Sequence, residues 1–179
     1  LPVFAYRSSL LEAIGNHQVV VVEGETGCGK STQVPQYVLE HAAEQKRPCS
    51  IIVCQPRRIS ALGVSERVAA ERGEAVGGVV GYSIRLEAKT SNSTQLLFCT
   101  NGILSRRLED DGDLVGVTHV FIDEVCAGSL PPFLPLPRDP RSCSLFLTLP
   151  LFRSFSLSLS LPPSLPRALS LSLSLARLL

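Results

Sequence analysis

Glycine, lysine and serine near the start of the chain have a spacing that suits a phosphate chain. Residues 24–31 read Gly-Glu-Thr-Gly-Cys-Gly-Lys-Ser and fit the pattern G-x-x-x-x-G-K-[ST]. They follow an unbroken valine run at 19–22 and open a predicted helix at about 30–45. Glycine permits close backbone approach, and N–H groups at a helix start attract anions. We therefore predict that this loop binds ATP and that Lys30 reaches the β- and γ-phosphates; the alternative is a glycine-rich turn with a solvated lysine.

An acidic pair, Asp123 and Glu124, follows the apolar run Val-Phe-Ile at 120–122. At the end of a buried strand, Asp123 can hold Mg²⁺ through a water and Glu124 can polarise the attacking water; the alternative is a solvated turn. Ligands of open α/β sheets bind at the carboxyl ends of strands, so the loop and the acidic pair can face one site. We predict Lys30, Asp123 and Glu124 as catalytic residues, with Ser31 and Asp123 as Mg²⁺ ligands.

The elements that must position these residues alternate between strand and helix. The predicted strands are 19–22, 51–54, 79–84, 96–99 and 120–122, and the predicted helices are 30–45, 59–72 and 103–108. Continuous apolar strands are typical of a parallel sheet that is covered on both faces, and the alternation implies right-handed crossovers. The predicted fold class is α/β, a P-loop NTPase with a mostly parallel sheet and flanking helices.

With these residues placed, the chain resembles the DEAH/RHA (DExH-box) family of ATP-dependent RNA helicases over about residues 1–125. The segments that carry the resemblance are 24–33 (motif I), 55–61 (motif Ia), 81–85, 100–104 (motif Ib) and 123–125 (the start of motif II). The resemblance implies the first RecA-like domain of such an enzyme, with ATP and Mg²⁺ as cofactors and RNA as partner. The nucleotide contacts it implies are Gly24, Glu25, Thr26, Gly27, Cys28, Gly29, Lys30, Ser31, Thr32 and Arg67.

The same resemblance implies an RNA-binding segment at Arg57 and Arg58, with Thr100 and Gly102 on the same face. Guanidinium groups suit the phosphate backbone, and the alternative for the two arginines is a salt-bridged helix start. Arg67 matches the position whose guanidinium stacks on adenine, with a solvated helix face as its alternative. Nothing in these residues reads the ribose 2′-OH, so RNA rather than DNA rests on the resemblance alone.

Three departures from the family pattern bear on function. Cys126 stands where motif II ends in His, and Asn101 and Ser105 replace the more usual Thr and Leu. Nothing after Cys126 resembles the later motifs, the second RecA-like domain or its arginine fingers. We therefore expect residues 1–126 to be a partial RecA-like domain, with one sheet edge exposed, negligible unwinding and very slow ATP hydrolysis.

Residues 127–179 form a different kind of sequence, a Leu/Ser/Pro/Phe-rich low-complexity tail that we predict to be disordered or non-native. Its alternating Leu and Ser could instead form a strand, whereas a membrane span is disfavoured because no run of about 18 apolar residues exists. Leu, Ser, Pro and Phe are also the residues encoded by all-pyrimidine codons. This supports the hypothesis that the tail is translated non-coding sequence, such as a retained intron.

Charge and cysteine content limit the partners and the cellular compartment that can be expected for this chain. Lys and Arg number 12 against 15 Asp and Glu up to Cys126, and five against one thereafter, so no large basic footprint is present. The six cysteines form no C-x-x-C pair, which favours reduced thiols in a cytoplasmic or nuclear protein. We predict no membrane association and no stable oligomer.

The alternatives to a helicase are a non-catalytic nucleotide-binding fragment, a gene-model artefact and, more weakly, a P-loop motor acting on DNA.

Overall fold

The computed structural model describes residues 1–112 and 114–123, together with the backbone of two further strands at 144–150 and 173–177. A 3₁₀ helix, Pro2–Tyr6, starts the chain. The helices are α1 Arg7–Asn16, α2 Lys30–Glu44, α3 Arg58–Glu71 and α4 Asn101–Asp110. The strands are β1 Val19–Gly24, β2 Ile51–Gln55, β3 Val80–Ile84, β4 Glu87–Lys89, β5 Leu96–Thr100, β6 His119–Ile122, β7 Ser144–Pro150 and β8 Leu173–Arg177.

The described strands form one sheet in the order β4-β3-β5-β2-β6-β7-β1-β8. Every neighbouring pair is parallel except β3 and β4, which form an antiparallel hairpin. Parallel strands have their carboxyl ends at one edge of the sheet. That edge therefore carries Gly24 from β1, Gln55 from β2, Thr100 from β5 and the residue after β6, Asp123.

Alternate residues of the central strands face two separate apolar layers, as the period of a strand requires. On one face, Val20, Val22, Ile51, Val53 and Phe98 pack with residues of α2 and α3. On the other face, Val21, Ile52, Cys54 and Cys99 pack with Leu104 and Leu108 of α4. Because both faces are covered, the strands can be apolar at every position, which explains the unbroken valine run.

The predicted α/β class with a mostly parallel sheet and flanking helices is confirmed. The bounds of predicted and observed elements agree closely; for example, the helix predicted at 30–45 is Lys30–Glu44. The hairpin strand β4 was not predicted, because all three of its residues are exposed and carry no apolar pattern.

The tail contributes two strands to this sheet. β7 and β8 lie on either side of β1 and pair with it in parallel. The exposed sheet edge expected for residues 1–126 stays a prediction. Alternating Leu and Ser is compatible with a strand, which is the physical reason that these segments can pair. The other positions of 127–179 lie outside the described residues, and the disorder predicted for them stays a prediction.

Candidate nucleotide-binding site

The loop between β1 and α2 has the backbone conformation that its glycines allow. Gly27 has φ +85° and Gly29 has φ +102°, both in the region that side-chain-bearing residues avoid. Gly29 is the residue that precedes the first turn of α2, and no side chain caps that turn. The first N–H groups of α2 are therefore available to an anion at the end where the helix dipole is positive.

Lys30 is the charged centre of this loop. It is 9% exposed, and its ammonium donates hydrogen bonds to the carbonyl oxygens of Gly24 at 2.6 Å and Glu25 at 2.8 Å. The thiol sulfur of Cys28 accepts a longer contact at 3.6 Å. These acceptors are neutral, and among residues 1–112 and 114–123 no carboxylate forms an ion pair with this buried ammonium. A phosphate at this position would supply the missing negative charge.

The amino-terminal 3₁₀ segment packs directly on the loop. Val3, which is completely buried, donates its N–H to the carbonyl oxygen of Cys28 at 3.2 Å. A Cβ atom added to Gly29 would lie 3.0 Å from a methyl carbon of Val3 and 3.1 Å from one of Leu1. The loop is thus held from outside as well as by its own glycines.

Asp123 lies one residue beyond β6, at the same sheet edge as the loop, and β7 lies between β6 and β1 in the sheet. Its side chain is 9% exposed, and one carboxylate oxygen accepts a hydrogen bond of 2.8 Å from the Gln55 amide. Its backbone N–H donates to the carbonyl oxygen of Cys54 at 3.0 Å. The carboxylate is therefore held in a fixed orientation by the end of β2. Glu124, the predicted water-orienting residue, lies outside the described residues.

Comparisons with known proteins identify relatives of this chain by sequence. The chain is 60% identical over 127 residues to the DExH-box ATP-dependent RNA helicase DExH3 of Arabidopsis thaliana, a match that covers 70% of this chain and 11% of that protein. It is 52% identical to DExH1 of the same species over 127 residues, covering 70% and 13%. Over 133 residues it is 50% identical to the ATP-dependent RNA helicase DHX29 of Mus musculus, covering 70% and 10%.

The matched segment is homologous to the DExH-box ATP-dependent RNA helicases. This confirms the resemblance that the motifs indicated. The chain spans about a tenth of the length of these curated relatives, with 11% of DExH3 and 10% of DHX29 covered. No protein-family model matches the chain. In the part that the structure describes, no helix combines the length and apolar character needed to cross a bilayer.

Arg67, the predicted adenine-stacking residue of this helicase homologue, lies on α3. Its side chain is 70% exposed, and its Nε donates a hydrogen bond of 2.7 Å to Glu71 one turn later. Glu71 also accepts hydrogen bonds from two glutamines of the phosphate-loop helix, Gln33 at 2.7 Å and Gln36 at 3.0 Å. Arg67 is therefore connected to the first turns of α2 through one carboxylate.

The predicted RNA contacts of the helicase homologue come from two neighbouring strand ends. Arg57 and Arg58 are exposed where α3 begins after β2, and neither forms an ion pair among residues 1–112 and 114–123. Thr100 ends β5. Gly102 is exposed in the first turn of α4, and within the described part of the chain no atom lies within 4 Å of a Cβ added to it. Because β2 and β5 are adjacent and parallel, both groups lie at the carboxyl edge of the sheet.

The thiol of Cys54 links the end of β2 to the start of α4, which follows β5. Cys54 of β2 donates to the side-chain oxygen of Asn101 in α4 at 2.9 Å. The pKa of Cys54 lies far above its ordinary value. The larger cause is a hydrogen bond with the facing Cys99 thiol, and burial is the second cause. Cys54 is therefore a neutral hydrogen-bond donor here, and its role is to hold α4 against β2.

Two residues that contact the predicted site were missed at the sequence level. Gln55 was assigned only to a motif, and Glu71 was not assigned at all. The spacing of Arg67 and Glu71, four positions apart on a helix, is a visible signal for an ion pair. The contacts of Gln55 with Asp123 and of Glu71 with α2 join segments distant in sequence, so they require the tertiary structure.

Proposed function

We propose that this chain binds ATP with Mg²⁺ through residues 24–32 and Asp123. We further propose that the whole protein couples ATP hydrolysis to RNA unwinding. The supporting observation is the buried Lys30 ammonium, which donates to neutral acceptors inside a glycine-rich loop. Homology to ATP-dependent RNA helicases gives the reaction class. The finer assignments, namely a RecA-like P-loop domain, RNA as partner and a cytoplasmic or nuclear location, are parts of the same proposal.

The described residues fit a nucleotide with its metal. Uncapped N–H groups at the start of α2 suit the β-phosphate, and Lys30 needs only a short movement away from the Gly24 and Glu25 carbonyls to reach phosphate oxygens. Among the described residues, no three His, Cys, Asp or Glu side chains converge on a metal position. Mg²⁺ characteristically binds few protein oxygens together with substrate phosphates, so the Ser31 hydroxyl and the Asp123 carboxylate are sufficient protein ligands.

Each residue has a defined part in the proposed reaction. Lys30 neutralises negative charge on the transferred phosphate, and the loop N–H groups orient the phosphate chain. Asp123, fixed by Gln55, holds the metal, which when bound neutralises charge on the β- and γ-oxygens. Glu124 orients the attacking water. An arginine finger, which the resemblance assigns to a second lobe, typically adds about 10³–10⁵ in rate.

The RNA part of the proposal concerns the neighbouring strand ends. Arg57 and Arg58 contact the phosphate backbone, and Thr100 and Gly102 line the same face. The described residues leave open space around Gly102, so an RNA backbone can approach there.

Direct measurement of ATP affinity tests the binding proposal. Isothermal titration of the full chain with Mg²⁺-ATP is compared for the wild type, Lys30→Ala and Lys46→Asn. Removing a charged hydrogen-bond donor from a phosphate costs about 1.5–3 kcal/mol, so Lys30→Ala should weaken ATP binding about 10- to 100-fold. Lys46 is exposed and has φ +54°, which Asn tolerates, so the control should bind like wild type. Equal affinity for wild type and Lys30→Ala would reject the site.

A further inference from the structure

Two thiols face each other near the carboxyl ends of β2 and β5. Cys54 and Cys99 are direct register partners in these parallel strands, and a hydrogen bond joins the two thiols. Both side chains lie on the sheet face that α4 covers, where they pack with Leu104 and Leu108. Neither thiol has a part in the proposed reaction with ATP.

The geometry of the two strands suits a disulfide. Neighbouring strands lie about 4.8 Å apart, and disulfides join residues whose Cα atoms are about 4.4–6.8 Å apart. Register partners in parallel strands direct their side chains to the same face of the sheet. The sulfur atoms of Cys54 and Cys99 can therefore bond without a large movement of the backbone.

The start of α4 controls access to the pair. Cys54 is 2% exposed and Cys99 is 0% exposed, and thiols buried in apolar surroundings react slowly. The Cys54 thiol also donates to the side-chain oxygen of Asn101, the first residue of α4, at 2.9 Å. An oxidant should therefore reach the pair when the first turn of α4 opens locally. Hydrogen peroxide is small and uncharged, so it needs only a narrow opening.

We propose that Cys54 and Cys99 are a dithiol modification site, which hydrogen peroxide closes to a disulfide, and that closure weakens RNA binding at the start of α4. The second part rests on the proposed RNA contacts at Thr100 and Gly102, which flank Asn101. A disulfide has no S–H group, so Asn101 loses the donor that connects it to β2. The first turn of α4 then becomes less ordered, and ordering it on RNA binding has a free-energy cost.

The reaction balances with hydrogen peroxide as its oxidant. The first sulfur attacks a peroxide oxygen, so an S–O bond forms, the O–O bond breaks, and one water leaves with the thiol proton. The second sulfur then displaces the hydroxyl group of this sulfenic acid, so the S–S bond forms, the S–O bond breaks, and a second water leaves. Two thiols and one peroxide thus give one disulfide and two waters. Each sulfur loses one electron, and a dithiol reductant reverses the change by thiol–disulfide exchange.

Peptide mapping of the full chain tests the modification. The chain is treated with hydrogen peroxide, its remaining thiols are blocked, and tryptic peptides are identified by mass spectrometry before and after reduction. We expect a link between Cys54 and Cys99 in the wild type, and dithiothreitol should remove it. The chain contains no methionine and no tryptophan, so peroxide should act mainly on cysteine.

Two variants serve as controls for the mapping. Cys99→Ala should abolish the link. Cys49→Ser should retain it, because Cys49 precedes β2 and is not a register partner of Cys99. This variant also fixes the assignment, since Cys49 and Cys54 share the tryptic peptide 47–57.

Fluorescence anisotropy with a labelled single-stranded RNA tests the consequence for binding. Oxidation of the wild type should lower the affinity about three- to tenfold, the range expected for the loss of one hydrogen bond, and dithiothreitol should restore it. Cys99→Ala keeps the bond from Cys54 to Asn101 but cannot form the disulfide, so peroxide should leave its affinity unchanged. Each comparison uses one preparation before and after oxidation, so differences in folding between variants do not enter.

Other outcomes overturn the inference. If peroxide forms no link in the wild type, or joins Cys54 to a different cysteine, the dithiol site is rejected. If the link forms and the RNA affinity does not change, the coupling to α4 is rejected. If replacing Arg57 and Arg58 by alanine leaves RNA binding of the reduced chain unchanged, the proposed RNA contacts fail and the coupling fails with them. A mapped link would still establish the dithiol site in that case.

Discussion

Substitution of Gly29 tests two separate reasons why the phosphate loop is rigid: its positive backbone φ and the packing of the 3₁₀ helix against it. Alanine at a residue with φ near +102° carries a backbone strain of about 1–2 kcal/mol. At Gly29 the new methyl group would also lie 3.0 Å from Val3, 3.1 Å from Gln33 and 3.1 Å from Leu1. Leu1 is 65% exposed and can move, but Val3 is fully buried and cannot. Overpacking of this kind adds about 1–3 kcal/mol.

Two other glycines serve as matched controls. Gly27 also has a positive φ, +85°, but no described residue has an atom within 4 Å of an added Cβ, so Gly27→Ala should cost only the strain of about 1–2 kcal/mol. Gly63 lies within α3 with open space around it, so Gly63→Ala should stabilise by roughly 0.5–1 kcal/mol. Gly29→Ala should cost about 2–5 kcal/mol. All three changes restrict the unfolded chain alike, so their differences report the folded state.

Urea unfolding followed by circular dichroism measures these free energies, since the chain has no tryptophan for fluorescence. A double variant with Val3→Ala adds a direct test. If Val3 crowds the loop, Val3→Ala and Gly29→Ala together should cost less than the sum of their separate effects by about 1 kcal/mol or more. Equal costs for Gly27→Ala and Gly29→Ala, with additive effects of Val3→Ala, would refute the packing of the 3₁₀ segment on the loop.

Two further predictions concern pH and RNA. Burial lowers the pKa of His119 to about 4 from an ordinary 6.5. The unfolded state therefore binds the proton first as the pH falls, and the free energy of unfolding should decrease by up to about 3 kcal/mol between pH 6.5 and 4. Urea unfolding of His119→Gln should lose that pH dependence, and an unchanged dependence of the unfolding free energy on pH would contradict it. Replacing Arg57 and Arg58 by alanine should reduce the salt slope of single-stranded RNA binding by about 1.4, at about 0.7 per lost phosphate contact. In fluorescence anisotropy, the control pair Lys46→Gly and Arg47→Ala, exposed just beyond the carboxyl end of α2, should leave that slope unchanged.

Periodicity and composition predicted most of the sheet, because buried parallel strands are apolar at every position. The runs at 51–54 and 96–99 correspond to Ile51–Gln55 and Leu96–Thr100. The same signal could not find Glu87–Lys89, because all three of its residues are exposed. The strand pairs with β3 as a hairpin, and Glu87 accepts a hydrogen bond from the Tyr82 hydroxyl. Nor could that signal select β7 and β8 as partners of β1, since pairing between distant strands depends on which edges the rest of the fold leaves open.

The candidate site shows the same division between local and distant information. Lys30 and Ser31 could be proposed as ligand contacts from the sequence because the motif of a phosphate loop is contiguous, with its glycines, lysine and helix start within eight positions, 24–31. The residues that orient the site are distant in sequence from the groups that they contact. Gln55 lies 68 positions from Asp123, and Glu71 lies 38 and 35 positions from Gln33 and Gln36. A contiguous motif therefore identifies the groups proposed to contact the ligand, whereas the residues that position them become visible only when the parallel sheet brings the strand ends and the flanking helices together.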